Sequence, residues 1–141
     1  MKRPSPADED AARRLLAYEG GNGGTAEECI AAVGRVYEKL DVQFAPLVGS
    51  AGFQALLARS AKLMQGEFPC LGERAAVESS TRLRECLRAQ DPGAIAATAA
   101  GLFGAFLGLL TTFIGERLTT EVLRRAWPAI GDSAFKEEAK K

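Results

Sequence analysis

Any chemistry this chain performs has to be done without histidine, which occurs nowhere in its 141 residues. Histidine is the usual proton carrier near neutral pH and the commonest metal ligand. Its absence removes Ser-His-Asp and Cys-His nucleophilic machinery built within the chain, along with zinc sites that use imidazole. Carboxylate chemistry survives. Past the Asp8-Glu9-Asp10 run of the first helix, acids include Glu27, Glu28, Glu38, Asp41, Glu73, Glu78 and Glu85, with no Glu-x-x-His or Asp-x-Asp among these. Such isolated carboxylates read as solvated faces, so no metal, no cofactor and no catalytic set is expected.

The thiols are Cys29, Cys70 and Cys86. Cys29 lies in the first turn of a helix opened by the capping box Thr25-Ala-Glu-Glu28, where the helix dipole lowers a thiol pKa. It also flanks the apolar Ile30, and a small buried hydrophobe is the plainer reading. Cys70 follows Pro69 in a loop, and Cys86 falls on the apolar face of a helix. An odd count without Cys-x-x-Cys argues against a disulfide framework and for a reducing, cytoplasmic compartment. The segment Gly20-Gly21-Asn22-Gly23-Gly24 lacks the Gly-Lys-Ser/Thr ending of a phosphate loop and reads as a linker. Lysine plus arginine balances aspartate plus glutamate at 18 each, so no basic surplus points to nucleic acid.

The elements that must carry these residues are all helices. A short one runs from Ser5 or Pro6 to about Tyr18, acidic in its first turns as the dipole prefers. After the glycine break, Ile30, Val33, Tyr37, Leu40, Phe44 and Leu47 recur at alternating spacings of three and four. That is an apolar seam held for nearly three heptads. Pro46 ends or kinks this helix, and Gly49 supplies a left-handed cap. Ser50 is a candidate N-cap for a helix to about Gln65, with Phe53, Leu56, Leu57, Ser60, Leu63 and Met64 facing inward. Residues 66–79 read as loop, with one short turn at 73–77. A helix from about Ser80 to Ala89 follows.

Asp91-Pro92 then opens the most distinctive element, Pro92 to Gly115, with 23 uncharged residues from Gly93 on. Nine of them are strongly apolar, which is worth about −3 to −5 kcal/mol toward membrane insertion at the bilayer centre. The rest are alanine, glycine and threonine, and no Lys/Arg asymmetry or aromatic belt flanks the stretch. A helix apolar all round because protein surrounds it is the favoured reading, with insertion of residues 92–115 into a membrane as the alternative. A last helix runs from Arg117 to Trp127, stopped by Pro128. Leu47 to Arg59 also aligns without gaps to Phe113 to Arg125, sharing Gly49/Gly115, Leu57/Leu123 and Arg59/Arg125.

The expected fold is therefore an all-α, single-domain bundle of about five helices over residues 25–128, centred on the charge-free helix. Residues 1–24 form a flexible lead with a short helix, and 129–141 a frayed tail. Within the central helix Gly101, Gly104 and Gly108 share one stripe, and glycine there costs about 1 kcal/mol per site relative to alanine. The stripe reads as a tight crossing within the chain or, alternatively, as a partner or self-association contact, the first being favoured. Trp127 reads as a core anchor before Pro128, and the Arg124–Trp127 end, made of residue types that dominate interfaces, is a second candidate contact surface. These features point to a non-enzymatic interaction or regulatory module, expected to be a homodimer. The alternative is a sensor holding a small apolar ligand among Phe44, Phe53, Phe103, Phe106 and Phe113.

Overall fold

The computed structural model describes residues 5–20, 25–72 and 77–128. The expected frayed tail, most of the glycine linker and all but the last residue of the turn expected at 73–77 lie outside the described residues. Among the described residues there are six α-helices and no strand: α1 Pro6–Tyr18, α2 Ala26–Val48, α3 Ser50–Met64, α4 Ser80–Arg88, α5 Pro92–Ile114 and α6 Glu116–Ala126. A 3-10 turn at Pro69–Gly72, not anticipated at that place in the loop, follows α3. The chain is an all-α helical bundle.

Local chemistry accounts for where the helices start. Ser5, Thr25 and Ser79 each accept a hydrogen bond from the backbone N–H three residues on, at 3.1 Å. Each cap satisfies a donor that the first helical turn would otherwise leave unpaired. Asp91 occupies the same position before α5 but makes no side-chain capping bond. Pro46 is accommodated in the last turn of α2, which ends two residues later.

The two glycine corners differ from expectation. Gly49 has φ 84° and ψ 154°, and Gly115 has φ 96° and ψ 151°. A left-handed helical cap would have ψ near 47°; both corners are instead extended at positive φ, a region nearly reserved for glycine. Each glycine is simultaneously the last cap of one helix and the first cap of the next. Ser50 therefore lies inside α3 and does not cap it. Gly49 N–H donates to the Ala45 carbonyl at 2.6 Å, and Gly115 N–H to that of Thr111 at 2.9 Å.

The matching corners belong to a larger correspondence. The helices follow a short–long–short order twice, and both long helices have 23 residues. Packing is reciprocal: α1 lies on α5 and α4 on α2, while α3 touches α5 and α6 touches α2. The gapless similarity between the two corner sequences thus sits on equivalent structure.

α1 is part of this bundle and not a flexible lead. Ala11, Ala12, Leu15 and Leu16 are buried, and its main neighbour is α5. The core seam of α2 is buried from Ile30 to Phe44, and α5 contributes Leu102, Phe103, Phe106, Leu107 and Leu110. The stretch 93–114 is long and apolar enough to cross a membrane, and 67% of its most apolar window is buried inside the protein.

A Cβ placed on Gly49 or Gly115 meets nothing within 4 Å, so strain at positive φ is the whole penalty for a side chain there. Gly49→Ala and Gly115→Ala should each destabilise by about 1–3 kcal/mol. Urea unfolding should place the two variants within about 0.5 kcal/mol of each other, because the corners share one conformation.

Candidate functional site

The glycine stripe is filled from within the chain. A Cβ on Gly101 would lie 2.8 Å from Cε2 of Phe68 and 2.9 Å from Cε of Met64. On Gly108 it would lie 3.1 Å from a carboxylate oxygen of Asp8. Gly104 is buried. The stripe is thus the groove that admits α1 on one side and the end of α3 with its following turn on the other. The stripe is therefore packed from within the chain, as the favoured reading has it, and not free for a partner: the space over Gly101 and Gly108 is taken by Phe68, Met64 and α1.

The aromatic set divides. Phe44, Phe53, Phe103 and Phe106 are fully buried, whereas Phe113 is 67% exposed. Phe106 receives Phe53 edge-on at 5.3 Å and Phe44 at 6.3 Å, and Phe53 meets Tyr37 at 5.8 Å. These rings fill the junction of α2, α3 and α5 with one another. Phe113 does not belong to that junction, so the expected five-ring ligand site is not assembled.

Trp127 is fully buried and so is not an exposed contact residue. Its indole Nε1–H donates to Oε2 of Glu19 at 2.8 Å. Lys39 Nζ reaches the same oxygen at 2.6 Å and stands 5.3 Å from the Trp127 ring and 5.5 Å from that of Tyr18. Arg35 donates to the Glu19 backbone carbonyl at 2.7 Å. The Glu19 side chain is only 8% exposed while that of Lys39 is 41% exposed. A shielded carboxylate therefore pins the end of α1 to α2 and to the end of α6. Arg124, one turn before Trp127, is half-buried in α6. No sequence pattern marks Glu19, because its partners lie twenty and 108 residues away.

The cysteines correct a further expectation. Cys70 and Cys86 form a disulfide, with Cα atoms 6.1 Å apart, well within the span a disulfide bridges. Closing a loop of this size contributes about 3 kcal/mol in the chain-entropy account. Cys29 remains a buried thiol, and burial pushes its pKa up. Its position in the first turn of α2 does not activate it. Burial likewise raises the Tyr37 hydroxyl, opposed by the hydrogen bond from Gln54, and Asp41 and Glu78 push in the same direction as burial. That hydroxyl donates to the Val77 carbonyl at 2.8 Å. Among the described residues no group of potential ligands could hold a metal ion.

Four large hydrophobic residues are left exposed among the described residues, Tyr18, Val42, Leu47 and Phe113, and two of them lie at equivalent places. Leu47 is 46% exposed at the end of α2, and Phe113 is 67% exposed at the end of α5. They occupy matching positions two residues before the Gly49 and Gly115 corners. Leu47 continues the seam of Leu40 and Phe44, and Phe113 continues that of Phe106 and Leu110. Periodicity places both in the core, but the fold leaves them uncovered. Val42, 68% exposed, lies on another face of α2.

No protein family, no curated protein and no solved structure shows a match to the chain.

Removing the indole donor in Trp127→Phe should destabilise by about 1–3 kcal/mol, since the Glu19 carboxylate loses a hydrogen bond while shielded from water. Chemical unfolding followed by circular dichroism measures it. In alkali the buried Cys29 and Tyr37 hold their protons longer than they do unfolded. Their contribution is present below the ordinary values of 9.0 and 10.0 and declines as pH rises through the higher folded values. Stability should therefore fall above pH 9, and Cys29→Ala should lessen the early part of that fall.

Proposed function

We propose that the protein is a non-enzymatic interaction module that pairs with a second copy of itself through the apolar end formed by Leu47 and Phe113. The observation that carries this reading is the escape of two core seams into solvent beside matching corners. α2 and α5 touch where Phe44 meets Phe106, and each seam runs on from there toward its own C-terminus.

The helix directions support a shared end. α3 runs back along α5, with Phe53 beside Phe106 and Met64 beside Gly101. α3 also reverses from α2 at Gly49, so α2 and α5 point the same way from their contact. Leu109, one turn before Phe113, is half-exposed and adds to the apolar surface. Exposed large hydrophobic residues that cluster, unlike scattered ones, mark contact surfaces. The lack of histidine and of any grouped metal ligands among the described residues favours binding over catalysis.

Light scattering after size exclusion tests the reading. The expected mass is twice the 15.0 kDa of one chain. Leu47→Asp and Phe113→Asp should each give a folded monomer with helical content and unfolding midpoint close to the parent. A parent chain that stays monomeric up to millimolar concentration, or charged variants that remain dimeric, would remove this surface as the contact.

A further inference from the structure

We propose that Cys70 and Cys86 form a reversible redox pair, with Cys70 as the attacking thiol, whose closed form holds Phe68 on α5. The pair lies apart from the Leu47–Phe113 end, and the inference does not depend on self-association. Both sulfurs belong to half-buried residues, accessible to small thiols in a way that the buried Cys29 is not.

A polar relay from α5 distinguishes Cys70. Gln90 Nε2–H donates to Cys70 Sγ at 3.5 Å, within the reach of a bond to sulfur. The amide is held by Thr98, whose hydroxyl lies 2.9 Å from Gln90 Oε1 and 2.8 Å from the Ala94 carbonyl. Thr98 is fully buried, a position where a hydroxyl needs a purpose. An N–H donor fixed on a sulfur stabilises its thiolate, which is the reactive form. Cys86 has instead the Cys70 carbonyl oxygen 3.3 Å from its sulfur. An acceptor there favours the protonated thiol.

Closure is thiol–disulfide exchange with a small disulfide such as glutathione disulfide. The Cys70 thiolate attacks one glutathione sulfur, a protein–glutathione bond forms, and one glutathione thiolate leaves. Cys86, losing its proton, then attacks Cys70 sulfur and expels the second glutathione. Two electrons and two protons pass from the protein thiols to the oxidant, which becomes two glutathione thiols. Reduction by a dithiol reverses each step. The bond ties the turn Pro69–Gly72 to α4, and that turn carries Phe68 over Gly101 and the buried Leu71. Opening it releases the segment 66–72 from its second anchor.

The experiment uses the full chain in glutathione buffers of graded ratio, with thiols trapped by alkylation and counted by mass. The closed form should show one alkylatable thiol after denaturation, Cys29, and the open form three. Hydrogen exchange of residues 66–72 should rise by about tenfold on opening while the centres of α2 and α5 are unchanged. Gln90→Leu should slow closure by roughly threefold, through the lost thiolate stabilisation. Cys70→Ser should show the open-form exchange whatever the buffer. Because opening the parent chain by reduction gives the same reading, an unfolded variant does not blunt the test. A pair that never closes in excess glutathione disulfide, or never opens in dithiothreitol without denaturant, overturns the proposal. So does equal exchange in the two states, or a Gln90→Leu rate equal to the parent's.

Discussion

A helix of 23 residues without a charged side chain has no face suited to water, and the bundle is arranged around covering α5. α1 lies along one side of it, α3 along another, and α2 meets it at the Phe44–Phe106 contact. Large apolar residues alone would hold such neighbours at the usual interaxial distance of roughly 8–10 Å. The glycines of α5 let two of them come nearer, since Phe68, Met64 and Asp8 occupy space that a Cβ would need. Each glycine costs about 1 kcal/mol in a helix interior, and closer packing of apolar atoms offsets that cost.

Coverage by α1 has its own requirement, because α1 is short and its connection to α2 carries several glycines. The contact between its first turn and Gly108 fixes one end. At the other end, Glu19 fastens it to Lys39 on α2 and Trp127 beyond α6. Charge-assisted bonds to a shielded carboxylate are worth more than surface ion pairs such as Arg13–Glu9 and Arg14–Asp10, which are solvated and add little. The same Trp127 whose type suggests an interface is therefore spent inside the chain.

The sequence disclosed the helices well, because their signals are local. Capping residues, the three-four seam of α2 and the glycine corners each act within a few positions. It disclosed partners poorly. The periodicity that correctly buries Leu40 and Phe44 also buries Leu47, since spacing carries no information on where a neighbouring helix stops. The same holds for Phe113, which is 67% exposed. The Gly101–Gly108 stripe marks close approach but not whose atoms approach. Cys70 and Cys86 meet only in the fold, one in a 3-10 turn and the other on α4, and nothing in the loop composition announces that turn. Glu19 is unremarkable until the fold brings Lys39 and Trp127 to it.

The repeated architecture bears on the proposed contact in a specific way. With α1 lying on α5 and α4 on α2, each short helix covers the long helix of the other half. Neither half buries its long helix alone, so the two halves relate as the subunits of an intertwined dimer do. If the long helices point the same way, as proposed, a pseudo-twofold relating the halves would run along them. Leu47 and Phe113 would then be equivalent positions at one end, on either side of that axis. A second copy docking end to end would meet an almost self-complementary pair. That is the geometry of an isologous interface, in which the same patch serves both partners and the assembly closes at two.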